Sequence, residues 1–323
     1  MIVLAGGTGR LGTEVVSRLA ARGVAVRVLT RELARADHLK DVAAEIVKCD
    51  VRDRGGARSA LRGASAIVSA VHGFAGPGRV SPASVDRDGN MNLIDAAVAL
   101  EAEVILLSVV GASRDHPMDL FRAKYAAEQH LRASGASWTI VRATAFVELW
   151  AEIMKQPIVF GRGENPINFV SVGDVAAAVE RAVLDTDVRR QVIEVGGPQN
   201  LTFNDLAALL QRTTGRAARV RHVPLPLVHL MAPLSRRARA AVAMDTIDMT
   251  FDAAAHRAYL GRPPTDLHTA LMQGPRPLTT PPCTETSGDF STTRVDTGRL
   301  MPEQPDHCPS FPPALDGRLP GQR

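Results

Sequence analysis

Apolar and polar positions in the first half of the chain alternate between two periods. Short runs of strand length occur at Ile2–Ala5, Val24–Leu29, Glu45–Lys48, Ala66–Val71, Val104–Ser108 and Trp138–Arg142. Stretches with helical spacing separate them. The first carries Leu11, Val15, Val16 and Leu19 on one face, and others cover 57–62, 90–100 and 121–134. Glycines such as Gly63 and Gly135 punctuate the ends. Strands alternating with helices predict an α/β fold, a doubly wound parallel sheet covered on both faces. Ligands of such sheets bind beyond the carboxyl ends of the strands, near the switch in strand order.

From residue 151 the rhythm changes. Residues 157–163 are rich in turn formers, Phe169–Val170 reads as a short strand and Val172–Val183 as a helix. Val192–Val195 reads as another strand, closed by Gly196-Gly197-Pro198, and Thr202 or Asn204 caps a helix reaching Thr213. The expected organisation is a main domain over 1–150, a smaller mixed α/β cap region over 151–272, and a tail over 273–323. Residues 275–323 hold ten of the 21 prolines without sustained periodicity, so they cannot bury enough apolar surface to offset their conformational entropy. A disordered tail is expected there. The competing reading is a peptide-recognition segment at Pro312-Pro313.

The chain start adds chemistry to this pattern. The strand at Ile2–Ala5 runs through Gly6, Gly7, Thr8 and Gly9 into a helix opening with Arg10, Leu11 and Gly12. Gly7 and Gly9 let backbone approach a pyrophosphate, and Gly12 lets helix pack on strand. The helix start offers free N–H groups to the anion. A dinucleotide site is therefore expected in 1–150, against the plainer alternative of a glycine-rich turn with no ligand. The Gly-Lys-Ser/Thr ending of a nucleotide-triphosphatase loop is missing, which argues against ATP hydrolysis.

The second strand ends in Thr30-Arg31. NAD-selective sites carry an acid here for the ribose 2′-hydroxyl. Arg31 instead offers a forked charge to a 2′-phosphate, with Arg35 one turn further on. Glu32, one residue late, is the competing signal, and two surface arginines on a loop are the plainer alternative. The expectation is NADP(H) over NAD(H). Asp50, followed by Val51, lies where an adenine amino group would sit, or else caps a turn. Ser69, Ala70 and Val71 would line the cofactor through backbone atoms, and the Gly- and Pro-rich loop 72–84 is long enough to close on a ligand.

Further segments carry a resemblance: Ser108-Val-Val-Gly-Ala112, His116-Pro-Met-Asp-Leu-Phe-Arg-Ala-Lys124, Glu128-Gln-His-Leu131, Ser134–Arg142 with Phe146, Phe169-Val-Ser-Val-Gly-Asp174, and Gly196-Gly-Pro198. With the opening motif, these resemble the atypical short-chain dehydrogenase/reductases of the NmrA-like, NAD(P)H-binding type, over about residues 1–272. The resemblance implies a Rossmann-type domain and an NAD(P)H-dependent oxidoreductase. In the family's catalytic pattern a Tyr donates a proton, a Lys four residues later lowers the Tyr pKa and holds the nicotinamide ribose, and an upstream Ser orients the substrate. Lys124 matches the Lys and Ser108 lies near the Ser, but the Tyr position is Leu120, and Tyr125 is displaced along the helix.

The implied catalytic set is Lys124 and Ser108. His116 joins it as the nearest other titratable group, its ordinary pKa of about 6.5 being suited to proton transfer. A loop or capping His is the alternative. Arg142 would hold an anionic group or form an ion pair. Asp174 resembles a helix N-terminal contact tying the cap region to the main domain. Phe146, Leu149, Trp150 and Ile153 would form an apolar wall, or pack as core. The expected substrate is a small carbonyl or quinone-like compound. The alternative function is a non-catalytic NADP(H)-binding redox sensor or assembly factor, as the missing Tyr suggests.

Bulk composition narrows the classes. With 323 residues and 45% hydrophobic content, one large core or two unequal ones can form. The net charge is +4, with arginine clusters at Arg216, Arg219, Arg221 and at Arg236, Arg237, Arg239, which read as solvated faces. Aromatics at 4% leave no stacking platform for nucleic acid. Cys49, Cys283 and Cys308 have neither paired nor metal-like spacing, so a reducing compartment and no metal are expected. A strand beginning at residue 2 leaves no room for a signal peptide, and no apolar run approaches the ~20 residues that span a bilayer. A cytoplasmic monomer or homodimer with a small-molecule partner and no membrane or nucleic-acid partner is expected.

Overall fold

β1 (Ile2–Ala5) is apolar and buried at every position, as a strand in the middle of a covered sheet must be. α1 (Arg10–Ala21) buries Leu11, Val15, Val16 and Leu19, the face its period predicts. The alternation continues through β2 (Val26–Thr30), β3 (Glu45–Lys48), α2 (Arg54–Ala60), β4 (Ala66–Ser69), α3 (Asp88–Val98), β5 (Glu103–Val109), α4 (Asp119–Ala133) and β6 (Trp138–Ala143). The second strand starts at Val26 rather than Val24, because the Val24 amide closes the turn after α1 by bonding the Leu19 carbonyl. This computed structural model describes residues 1–74, 80–155, 158–215, 220–233 and 235–273, without the side chains of Arg236 and Arg237. The expected tail from 274 onward and the cluster residues Arg216 and Arg219 lie outside the described residues.

The second half contains β7 (Ala145–Phe146), α5 (Val147–Ile153), β8 (Ile158–Phe160), β9 (Ile167–Val170), α6 (Val172–Leu184), β10 (Val192–Val195) and β11 (Asn200–Leu201). α7 (Phe203–Thr214), β12 (Arg221–Val223), α8 (Leu225–Met231), α9 (Arg236–Thr246), α10 (Ala253–Leu260) and α11 (Leu267–Gln273) follow. Among the described residues, seven parallel strands form the main sheet in the order β10-β6-β5-β4-β1-β2-β3. The order runs one way from β1 and the other way from β4. The switch point of this Rossmann-type, doubly wound sheet is therefore the β1–β4 pair, with Ala5 opposite Ser69.

Three features depart from the sequence expectations. β10 pairs with β6, and α6 packs in the same core as α1, so residues 172–195 return to the main sheet instead of belonging to the cap region. The change of rhythm at 151 marks an excursion from the sheet, not its end. Ile158–Phe160, expected in a turn-rich segment, is a strand parallel to β12. Finally, a π-type turn at Pro82–Arg87 precedes α3, capped by Ser81, and buries Asp86.

The smaller region has its own core, including Met118, Val147, Phe169, Leu206, Met244 and Leu267. Thr202 caps α7, and its side chain forms a reciprocal capping box with Asp205. The Asp174 carboxylate accepts from Arg262 Nη2 (2.6 Å), the Thr265 amide (2.7 Å) and Thr265 Oγ1 (2.9 Å), and so ties α6 to the segment after α10. No helix among the described residues is long and apolar enough to cross a membrane.

Candidate functional site

The glycine-rich turn sits at the switch point. Gly6 has φ +86°, and a Cβ on it would lie 2.6 Å from the Ala70 carbonyl oxygen, so both its conformation and its contact with the end of β4 exclude a side chain. A Cβ on Gly12 would lie 2.3 Å from the Gly6 oxygen and 2.5 Å from Gly7 Cα, so α1 rests directly on the turn's backbone. Gly7 differs from the expectation. Its missing side chain would meet Val28 at 2.7 Å, in the core, so its smallness serves packing on β2. Gly9 is exposed and stands at the N-cap of α1 without any side-chain cap. The amides of Arg10, Leu11 and Gly12 consequently have no partner within the helix, the condition in which a helix start accepts an anion. Thr8 is half-buried and Leu11 is core, while Arg10 forms an ion pair with Glu152 of α5.

Arg31, at the end of β2, is exposed and makes no hydrogen bond or ion pair among the described residues; its charge falls on Asp50. Arg35 and Glu32 are exposed beside it. Asp50 takes the turn-capping alternative. It accepts the Arg52 amide at 3.0 Å and pairs with Arg52 Nη2 at 2.6 Å. The hydrogen bond from the Arg52 side chain holds its carboxyl below the usual range against partial burial. Val51 is buried, and its carbonyl accepts Asn92 Nδ2 at 3.0 Å. Ser69 is buried with its hydroxyl on Asn90 Oδ1, so it offers no free side chain. The Ala70 amide bonds the Ala5 carbonyl, locking the two strand ends together.

Lys124, on α4, is only 3% exposed. Its Nζ lies 3.1 Å from the Val71 carbonyl and 3.1 Å from Asp86 Oδ1. Asp86 carries no signal in the sequence pattern. It is completely buried, its Oδ2 accepts the Gly73 amide at 2.8 Å, and His72 Nδ1 stands 3.8 Å from its Oδ1. Burial alone would raise the Asp86 carboxyl, but the Lys124 ammonium, His72 and the Gly73 amide together hold it below the ordinary aspartate value. The turn, Val71, Lys124, Asp86 and His72 thus meet at the ends of β1 and β4.

The other two members of the expected catalytic set are engaged by other partners. Ser108 is buried, and its hydroxyl donates to Glu128 Oε1 at 2.5 Å. Glu128 also takes Arg142 through Nε (2.9 Å) and Nη2 (2.7 Å), and Arg142 reaches on to Glu194 at 3.2 Å. Arg142 therefore takes the ion-pair alternative, and the Ser108 hydroxyl is taken by Glu128. His116 takes the loop alternative. Its ring stacks on Phe121 at 3.9 Å, and its Nδ1 accepts the Met118 amide at 3.1 Å. Burial, and after it the Arg122 guanidinium, pushes its pKa down. Of the expected apolar wall, Phe146 packs on the main core and Trp150 against Phe203, while Leu149 and Ile153 are exposed.

Residues 1–250 match the NmrA-like family. The chain belongs to the NmrA-like family. Among relatives of this NmrA-like protein, the NAD(P)H azoreductase of Xenophilus azovorans is 27% identical over 234 residues, 70% of this chain and 78% of its own length. The photosystem II assembly factor Ycf39 of Cyanophora paradoxa is 27% identical over 237 residues, 71% of this chain and 73% of its own. In fold, the chain is similar to the NADPH-dependent quinone oxidoreductase QOR2 of Escherichia coli, solved with NADPH, with a TM-score of 0.68 at 21% identity over 84% of this chain and 98% of that one. Relatives of this NmrA-like chain thus include both a nicotinamide-dependent reductase and an assembly factor.

Proposed function

We propose that this NmrA-like protein is an NADP(H)-dependent oxidoreductase acting on a small carbonyl or quinone-like compound. The observation that carries the reading is the cradle at the switch point. There the uncapped start of α1 lies on glycine backbone, beside a buried lysine anchored to the end of β4. The free amides of Arg10, Leu11 and Gly12 would hold the pyrophosphate, Arg31 the 2′-phosphate, and Lys124 with the Val71 backbone the nicotinamide ribose. Bound there, the nicotinamide supplies a hydride. The protein's part is to orient the ribose by an ammonium that Asp86 fixes in place.

Calorimetric titration with NADPH and NADH tests the cofactor preference. NADPH binds more tightly, and Arg31→Ala weakens NADPH selectively by about 1.5–3 kcal/mol, the worth of one charged hydrogen bond. Equal affinities, or a preference for NADH, would overturn the preference. NADPH oxidation with a panel of quinones, azo dyes and aldehydes tests the activity. The second reading, a non-catalytic NADP(H)-binding protein, is favoured by Leu120 in the tyrosine position and by the Ser108 hydroxyl bound to Glu128. It predicts tight NADPH binding with no turnover anywhere in that panel.

A further inference from the structure

We infer that His72 is the proton donor of this reaction, an inference that rests on the oxidoreductase reading above. Reducing a carbonyl or quinone requires a proton at the oxygen as well as a hydride. Leu120 has none to give, and the Ser108 hydroxyl is spent on Glu128. His116 has Nδ1 on a backbone amide and its ring face on Phe121. Lys124 is enclosed between Val71 and Asp86. His72 is the residue after Val71, at the mouth of the same cradle, and its side chain is 46% exposed.

Asp86 makes this histidine more than a loop residue. A buried carboxylate needs one ammonium to balance its charge, and Lys124 supplies it. Two further groups nevertheless converge on it. The Gly73 amide bonds Oδ2, which pins the loop, and His72 Nδ1 faces Oδ1 at 3.8 Å. Oδ1 has no hydrogen-bond partner among the described residues, so closing this gap to a hydrogen bond would select the Nδ1–H tautomer and leave Nε2 as the working nitrogen, the logic by which an aspartate orients a histidine in acid–base sites. The ring also stacks on Phe74 at 6.1 Å. The charged groups facing His72 are Asp86 from the π-type turn and, behind it, Lys124 from α4.

In the step, the Nε2–H bond of the imidazolium breaks and an O–H bond forms on the acceptor, which is reduced by the hydride. The imidazole is left neutral and regains a proton from water.

The test uses full-length protein and two independent readouts. In the ligand-free protein, ring ¹⁵N shifts above neutral pH, assigned by their loss in His72→Gln, report the Nδ1–H tautomer, and Asp86→Asn moves the ring towards Nε2–H. In turnover with a quinone, His72→Gln lowers kcat by about 10²–10⁴-fold, the usual range for a general acid. It leaves NADPH affinity within about twofold. Predominant Nε2–H tautomer in the wild type, or a His72→Gln variant that keeps kcat within about threefold, overturns the inference alone. A wild type that oxidises NADPH with no acceptor overturns both this inference and the oxidoreductase reading.

Discussion

Lys124 and Asp86 show how much of a site one residue of each charge can decide. The pair is buried, and among the described residues Lys124 has the Val71 carbonyl as its second partner. Lys124→Met would leave the Asp86 carboxylate buried without an ammonium. Breaking a buried pair this way costs about 3–5 kcal/mol. Replacing both residues with apolar ones should recover most of that loss, because the stranded charge is gone. Urea unfolding of wild type, Lys124→Met and Lys124→Met/Asp86→Leu measures both effects; a single variant within about 1 kcal/mol of wild type would show that Asp86 finds other compensation. Lys124 was legible in the sequence through the spacing of its family pattern. Asp86 was not, because it lies in an aperiodic segment and its partner is distant in the chain. Ser108 was legible by type but not by direction, since the hydroxyl's fate depends on Glu128 and Arg142 meeting it from two other elements.

At the scale of elements, the Asp174 carboxylate with its three donors ties α6 to the C-terminal segment. Asp174→Ala removes all three and leaves the Thr265 amide and hydroxyl without their acceptor. A loss of about 1.5–3 kcal/mol is expected even if water replaces most of them, as for one hydrogen bond to a charged group. Hydrogen exchange should quicken around 253–273 while β1 and β4 stay protected; uniform quickening would mean that Asp174 supports the whole domain. The structural tie was readable from the residue type after Phe169-Val170. Its partners were not, because Arg262 and Thr265 lie in a stretch with no pattern of its own. The alternation of the first six main-sheet strands was plain, since long apolar runs and amphipathic helices repeat. β8 and the π-type turn were hidden, because three residues show no period and a single wide turn spoils the 3.6-residue one. β10 reads as a strand in the sequence, but its place in the main sheet does not, because the chain builds β7 to β9 before returning to the sheet.

For the molecule as a whole, acid should be destabilising, beginning near neutrality. His256 on α10 is completely buried, beside Asp174 and the Gly196 backbone. Burial outweighs both neighbours and holds its pKa below the ordinary 6.5. His116 is shifted the same way. The unfolded chain therefore binds protons below pH 6.5 that the folded chain refuses, so stability is present above that pH and falls as pH drops through it. Asp86, with its lowered pKa, adds a loss in the same direction at lower pH, in the carboxylate range. Urea midpoints should fall between pH 7.5 and 5.5, and His256→Leu should flatten part of that slope. A midpoint that rises towards pH 5.5 would contradict this account.

The return of the chain to its main sheet also sets a timetable for synthesis. β6 is zipped on one side to β5 and on the other to β10, through bonds such as the Ile140 amide to the Gln191 carbonyl and the Thr144 amide to the Val195 carbonyl. β10 is made only after the excursion through the smaller region. At about 5–20 residues per second, the stretch from Ala143 to Val192 takes roughly 2–10 s to leave the ribosome. During that interval the far side of β6 is a bare row of amides and carbonyls, the kind of edge that recruits a strand from a neighbouring nascent chain. The strand that covers β6 then becomes the sheet's own edge on that side.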